Sequence, residues 1–324
     1  MFNFLFCFDD NYNKQAEVAM YSILEQFDEK LNIYIIHKRN ALEFSLSKKI
    51  TSHKNINNLS IYQFIKPDNL EFENLANVHV SEATYYRLFL SDYLDKSIDN
   101  LIYVDCDIVC VKNFSINLEN SFKKLEKSKY IVAAIGEYEK SSSVQKYHSE
   151  LQLKNNDYFN AGVMLINYKK WIESNIGEKL IETLLDLKGR ITFWDQDVMN
   201  KYFDGNYYKL ENGLNKRFTN NNTLNNKILR QIESEDSNIF LLHFAGKSKP
   251  WHVNGSVVNG SHLFHDYFYE INSYKPFIQI RNRKNSLKQL FSISFLNNLK
   301  NKENKINILF NIILSISLKR NTVK

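Results

Sequence analysis

The chain has 324 residues and a formal net charge of +6; 44% of its residues are hydrophobic, 24% charged and 14% aromatic. That length and apolar fraction exclude a disordered or fibrous chain and allow a full core in one large domain, with or without an appendage. Residues 275–324 carry eleven Lys and Arg against one acid, Glu303, so the remainder is net acidic and nucleic acid is excluded as its main partner.

FNFLFCF (2–8) is a short continuous apolar run, the pattern of a strand buried on both faces. No basic segment precedes it and Asp9 and Asp10 interrupt it, so it reads as a first strand and not as a signal peptide. Residues 14–27 space Val18, Tyr21, Ile23, Leu24 and Phe27 as a helix does. NIYIIH (32–37) reads as a strand, 41–53 as a helix, SIYQFIK (60–66) as a strand and 83–94 as a helix. This alternation predicts a mainly parallel sheet flanked by helices. Further strands are expected at 101–111, 130–135, 159–167 and 238–244. Helices are expected at 168–187 and 195–203, and 136–159 reads as a polar loop over the site. Cys7, Cys106 and Cys110 are odd in number and lie in apolar runs, so they read as buried hydrophobes in a reducing compartment.

The run LIYVDCDIVCV (101–111) places Asp105 and Asp107 two residues apart. On a strand, residues i and i+2 share a face, and the carboxyl edge of an open α/β sheet is where ligands bind. Two carboxylates there suit Mg²⁺ or Mn²⁺, which commonly clamp a diphosphate. A second such pair, Asp195 and Asp197, and the alternative of a solvated strand end or a helix cap keep the motif open on its own.

The segment 272–324 differs in character. INILFNIILSISL (306–318) is apolar but thirteen residues long, short of the roughly 20 that span a bilayer. With basic residues on both sides it reads as a helix lying on an anionic membrane surface, or as one packed on the domain or on a second copy. The expected division is therefore 1–271 and 272–324.

Five segments, FCFDDNY (6–12), ATYYRLFL (83–90), LIYVDCDIVCV (101–111), YFNAGVMLIN with WDQDVMN (158–167, 194–200) and LLHFAGKSKPWH (241–252), together resemble glycosyltransferase family 8. The similarity spans about residues 2–255 and is strongest to the bacterial lipopolysaccharide and lipooligosaccharide α-galactosyl/α-glucosyltransferase branch. It implies a GT-A fold, Rossmann-like and mainly parallel, with the basic helical tail appended.

The resemblance also implies roles. Asp105, Asp107 and His243 would hold Mn²⁺ or Mg²⁺, the histidine favouring Mn²⁺. Cys7, Asp9 and Asn11 would hold the uridine, while Arg87, Gly246 and Lys249 would meet the sugar and diphosphate of a UDP-hexose. Asn160, Asp195 and Gln196 would surround the sugar ring, with Asp195 gripping hydroxyls and Gln196 below the anomeric carbon. His79 would belong to a segment closing over the donor. Some family members carry an Asp near the acceptor where this chain has Gly136, which leaves Glu137 as the substitute.

The family retains anomeric configuration. An amide oxygen is a poor nucleophile, so the match at Gln196 points to front-face attack by the acceptor rather than a covalent adduct. The expected function is thus transfer of galactose or glucose from a UDP-sugar to a lipopolysaccharide or lipooligosaccharide acceptor, on the cytoplasmic face of the inner membrane. A protein or other glycan acceptor, and a non-catalytic nucleotide-sugar binding protein, are the alternatives.

Overall fold

Strand β1 (Phe2–Phe8) is buried on both faces. Phe4, Phe6 and Phe8 join one apolar cluster and Leu5 and Cys7 another, as the two-residue period of a strand dictates. The structure is a computed structural model that describes residues 1–68, 70–72, 81–137, 149–155, 157–219, 221–234, 236–246, 249–253, 255–256, 258–272 and 277–279. The expected membrane helix at 306–318, the expected closing residue His79 and half of the expected loop 136–159 lie outside the described residues.

After β1 come α1 (Asn13–Gln26), β2 (Leu31–His37), α2 (Lys48–Thr51), β3 (Ile56–Gln63), a 3₁₀ helix (Glu82–Phe89), α3 (Leu90–Tyr93) and β4 (Asn100–Val104). They are followed by β5 (Ile108–Cys110), α4 (Ser115–Lys127), β6 (Val132–Gly136), β7 (Phe159–Asn167), α5 (Tyr168–Glu173), α6 (Ile176–Asp186) and α7 (Trp194–Phe203). The chain then forms β8 (Tyr208–Lys209), a 3₁₀ turn (Asn212–Asn215), β9 (Lys216–Arg217), α8 (Asn222–Ile232), β10 (Leu241–His243) and α9 (His262–Asn272).

The main sheet runs β3-β2-β1-β4-β7-β6-β8. Every neighbouring pair is parallel except the two that β7 makes, with β4 and β6. Helices α1, α4 and α9 cover one face, and the first 3₁₀ helix with α5, α6 and α7 covers the other. Phe4, Phe27 and Phe114 meet edge to face in the first of these layers. Each such fully buried ring contributes on the order of 1.5–3 kcal/mol. The expected mainly parallel sheet between helical layers is what the chain forms, and among the described residues no helix is long and apolar enough to cross a membrane.

Strand order reverses direction at β1, whose neighbours are β2 on one side and β4 on the other. The crevice beyond the carboxyl ends of β1 and β4 is where an open α/β sheet takes its ligand. A second, three-stranded sheet, β5-β10-β9, stands at the same end. Its register sets His243 opposite Ile108 on one side and Arg217 on the other.

Local differences from the sequence expectation have physical causes. The strand expected over 101–111 is two strands in two sheets, because the chain turns at Cys106 and Asp107. The helix expected over 41–53 shrinks to Lys48–Thr51. Asn40 instead draws the Leu42 and Glu43 N–H groups onto its side chain, and Ser47 caps the short helix through Lys49 N–H. The helix expected over 168–187 breaks at Asn175, which is left-handed with φ 52°; asparagine tolerates that region better than most residues. The strand expected over 238–244 keeps its ladder at Leu241–His243 alone.

Candidate active site

Asp105 follows the last residue of β4, and its N–H donates to the Gly162 carbonyl of β7 at 2.8 Å, which extends the ladder by one rung. Tyr103, two residues earlier on the same face, donates its hydroxyl to Asp105 Oδ1 at 2.7 Å. Arg87, from the first 3₁₀ helix, donates to the same oxygen through Nη2 at 2.7 Å. Its Nη1 donates to the Ala161 carbonyl at 2.8 Å, and its Nε lies 3.0 Å from Asp195 Oδ2. Burial works against the charge of this guanidinium, but Asp105 and Asp195 outweigh it and hold it firmly protonated.

Asp107 sits in the turn between β4 and β5. The small sheet brings His243 to it: Phe244 N–H donates to the Asp107 carbonyl at 3.0 Å, and His243 Nε2 lies 3.2 Å from Asp107 Oδ1. Lys249 donates to Asp107 Oδ2 and, at 2.8 Å, to the Phe244 carbonyl. Burial alone would raise the Asp107 carboxyl; Lys249 and His243 outweigh it and hold it far below the usual carboxylate range.

These residues fit a divalent cation. One ligating atom each from Asp105, Asp107 and His243 lies within 4.8 Å of the others. Asp107 Oδ1 is buried and faces His243 Nε2 without a hydrogen bond of proper geometry. His243 Nδ1 is already committed to Asn215 Oδ1 at 2.9 Å. A histidine whose outer nitrogen is held this way presents its inner nitrogen as a ligand. Two carboxylates with one imidazole are a donor set for Mn²⁺ or Mg²⁺.

The cleft beside this cluster is lined by Cys7, Tyr12, Thr84, Arg87, Asp105, Asp107 and Lys249, among others. It therefore joins the ends of β1 and β4, the switch point of the sheet. Burial pushes the thiols of Cys7 and Cys106 upward, so neither is a thiolate nucleophile.

The first turn of α7 brings two carboxylates whose duties differ. Asp195 accepts from Thr84 Oγ1 and faces Arg87. Burial drives its carboxyl up to about 6 against the pull of Arg87 and Thr84. Asp197 points elsewhere, since i and i+2 do not share a helix face. It accepts the N–H groups of Thr192 and Phe193 at 2.7 and 2.6 Å and the Tyr158 hydroxyl at 2.6 Å. The second Asp-x-Asp pair is thus one site residue and one clamp on the chain entering α7.

Gln196 is fixed at both ends of its amide. Oε1 accepts the Ala161 N–H at 3.0 Å and Nε2 donates to the Tyr158 hydroxyl at 3.2 Å. Asn160 is held likewise: Oδ1 accepts from Gly162 N–H at 3.0 Å and Nδ2 donates to Glu137 at 3.0 Å. Glu137, at the end of β6, also pairs with Arg217 at 3.1 Å.

Three sequence-derived residues stand apart from this network. Asp9 accepts the Asn11 N–H at 2.9 Å and its side-chain amide at 3.3 Å, folding the first loop on itself, and Asn11 is exposed. Asp10 pairs with Arg39 at 2.8 Å, and Tyr12 rather than either aspartate precedes α1. Gly246 lies in an exposed loop with φ +86°, a conformation that favours glycine. Sequence reading missed Tyr103, Tyr158, Asn215 and Gly162. Only Tyr103 carried a signal, its i−2 spacing from Asp105 on a strand.

A mainly parallel sheet with a cleft at its switch point, and beside that cleft two carboxylates and an imidazole placed to take a divalent cation, is the arrangement of the GT-A type of glycosyltransferase. The profile of glycosyl transferase family 8 matches residues 3–255, most of the chain, and the protein belongs to that family. It is 27% identical over 290 residues to a lipopolysaccharide 1,2-glucosyltransferase of Escherichia coli, covering 87% of this chain and 81% of that one. It is 31% identical over 176 residues to the lipopolysaccharide 1,3-galactosyltransferase of Salmonella typhimurium, covering 54% of this chain and half of the length of that enzyme. The galactosyltransferase LgtC, solved with donor and acceptor sugar analogues, shares the fold with a TM-score of 0.61 at 21% identity, over 84% of this chain and 97% of that one.

Proposed function

We propose that the protein transfers a hexose, galactose or glucose, from a UDP-sugar to a saccharide acceptor of bacterial lipopolysaccharide or lipooligosaccharide, with retention and with dependence on Mn²⁺. The observation that carries this reading is the convergence of Asp105, Asp107 and His243 on one cation-sized point beside the cleft at the ends of β1 and β4. The activities of the E. coli and Salmonella relatives support the acceptor class.

In this reading Cys7 and the first loop, with Asp9 and Asn11, take the nucleoside, and Gly246 and Lys249 take the diphosphate. Lys249 now neutralises Asp107, and its ammonium is a point charge that serves equally beside a phosphate. A divalent cation held by Asp105, Asp107 and His243 supplies charge neutralisation for the leaving diphosphate. Arg87 keeps Asp105 and Asp195 aimed at the cleft, and Asp195 and Asn160 hold sugar hydroxyls. Gln196 Oε1 spends one lone pair on Ala161 N–H and offers the other to positive charge at the anomeric carbon. An amide so fixed steadies charge better than it attacks, which supports front-face entry of the acceptor hydroxyl. Glu137, with Arg217 beside it, stands on the acceptor side, and His79 belongs to the closing segment.

The basic segment 281–324 supports a peripheral position on the cytoplasmic face of the inner membrane, where a glycolipid acceptor lies. The decisive experiment measures UDP release from a panel of UDP-sugars, with Mn²⁺ or EDTA, and with or without truncated lipooligosaccharide. Cation-dependent release from one hexose, accelerated by the acceptor, is expected. Release from no UDP-sugar would overturn the reading.

A further inference from the structure

The imidazole of His243 is aimed by two residues that touch no ligand. Gly162, on β7, is the first. A Cβ at this position would stand 2.5 Å from His243 Cε1, 2.9 Å from His243 Nδ1 and 2.9 Å from Asn160 Oδ1. Real Cβ atoms do not approach that closely, so the ring lies where it does only because residue 162 has no side chain. The carbonyl of the same glycine accepts Asp105 N–H at 2.8 Å. One backbone unit thus sets the carboxylate arm of the cluster and makes room for the imidazole arm.

Asn215, buried at the end of the second 3₁₀ turn, is the other. Its role follows from groups whose hydrogen-bonding character is not in question. Gly162 N–H is a donor, so the Asn160 atom it meets at 3.0 Å is the oxygen. Glu137 is an acceptor, so the Asn160 atom it meets at 3.0 Å is the nitrogen. Asn160 Oδ1 then requires the Asn215 nitrogen, at 2.9 Å. That turns Asn215 Oδ1 to His243 Nδ1, at 2.9 Å, and the proton lies on Nδ1. Nε2, which faces Asp107 Oδ1, is then the nitrogen that a cation would take in place of a proton. A backbone N–H and a carboxylate, relayed through two amides, dictate which nitrogen of His243 is the ligand.

We infer that Gly162 and Asn215 are positioning residues of the cation site, the first fixing the place of the His243 ring and the second its tautomer. The inference rests on the proposed cation at Asp105, Asp107 and His243. Its test is the titration of the metal-free full chain with Mn²⁺ alone, followed by the electron paramagnetic resonance signal of unbound Mn²⁺, with thermal unfolding of each metal-free variant alongside. Gly162→Ala and Asn215→Leu are expected to bind Mn²⁺ about 10–100-fold more weakly than wild type, the usual cost of removing a partner that orients a ligand. Asn215→Asp keeps an acceptor for Nδ1–H but sets an oxygen against Asn160 Oδ1, so it is expected to recover part of that affinity. The expected unfolding temperature of metal-free Asn215→Leu stays close to wild type, which separates aiming from folding. If both weakened variants bind as wild type does while His243→Ala does not, the ring finds the cation unaided and the inference falls. If wild type and His243→Ala fail alike to bind, the cation reading itself falls and takes this inference with it.

Discussion

The guanidinium of Arg87 lies 4.0 Å over the ring of Tyr103, and both residues donate to one oxygen of Asp105. The same guanidinium reaches Asp195, 108 residues further along the chain than Arg87 (195 − 87). Arg87 is therefore the joint between Asp105, in the proposed cation cluster, and Asp195, proposed to hold the sugar.

Replacing Arg87 separates charge from shape. Arg87→Met leaves Asp195 buried without a cationic partner, held by the Thr84 hydroxyl, and breaking a buried ion pair on one side costs about 3–5 kcal/mol. Urea unfolding is expected to show that loss. Arg87→Lys keeps the charge but not the fork that spans two carboxylates. It is expected to fold, with less destabilisation than Arg87→Met and with kcat/KM for the UDP-hexose reduced about 10²-fold, on the scale of losing one preorganised electrostatic contact. Equal stability of Arg87→Met and wild type would contradict the joint.

Asp195 predicts opposite pH responses of activity and stability. Its carboxyl titrates near 6 in the folded protein, against 3.8 for the ordinary group. As pH falls through 6 the carboxylate that faces Arg87 is lost, so kcat/KM is expected to show an acid limb there. The folded state holds this proton more tightly than the unfolded chain, so the contribution of Asp195 to stability grows as pH falls from 6 towards 3.8, by up to about 3 kcal/mol. His265 acts the other way: burial lowers it to about 4, and its neutral form is a source of stability that is lost as pH falls below the ordinary 6.5. Subtracting the stability profile of Asp195→Asn from that of wild type isolates the first effect. A flat difference between pH 4 and 7 would refute it.

Much of this was legible because β1 and β4 are unambiguous. Their residues alternate between two apolar layers, and a doubly buried run leaves few other readings. The Asp105/Asp107 pair was legible as chemistry but not as geometry. The shared-face argument assumed one strand, whereas the chain turns at Cys106 and Asp107, and it is the antiparallel pairing of β5 with β10 that returns His243 to the same point. Pairing between residues 108 and 243 is a long-range event that local pattern does not encode. The same holds for Asn215 and Tyr158: each is a polar residue in a polar stretch, and only its tertiary partner gives it a task. The helix expected over 41–53 failed for a local reason, the capture of two N–H groups by Asn40.

Gln196 offers a test of the chemistry. Because Oε1 is held by Ala161 N–H and Nε2 by Tyr158, the amide can be removed without disturbing the α7 backbone. Gln196→Ala is expected to lower kcat about 10²–10³-fold while leaving KM for the UDP-hexose within a small factor, the signature of a contact that matters most in the transition state. Proton NMR of the product formed by wild type is expected to show the α anomer. Intact-mass analysis during turnover is expected to show no hexose on the protein, and a stable adduct on Gln196 or Asp195 would replace front-face attack by a two-step route.

The tail yields the last prediction, and the structure sharpens where to cut. Phe277 stacks on Phe268 of α9 at 5.4 Å, and Gln279 N–H donates to the Trp251 carbonyl at 2.7 Å. Trp251 itself packs against Tyr12 and Phe264. A truncation at 272 would therefore strip contacts from the domain, whereas deleting 281–324 spares them. That deletion removes ten Lys and Arg and one acid, Glu303. Each basic residue near an anionic surface contributes on the order of 1 kcal/mol, and the attraction falls off within a Debye length. The full chain is expected to sediment with liposomes rich in phosphatidylglycerol and to be released by high salt. The shortened chain is expected to remain in the supernatant while turning over a soluble truncated acceptor at the wild-type rate. Sedimentation of the shortened chain at the level of the full one would remove the membrane role from residues 281–324, and loss of turnover on the soluble acceptor would assign them to the catalytic domain instead.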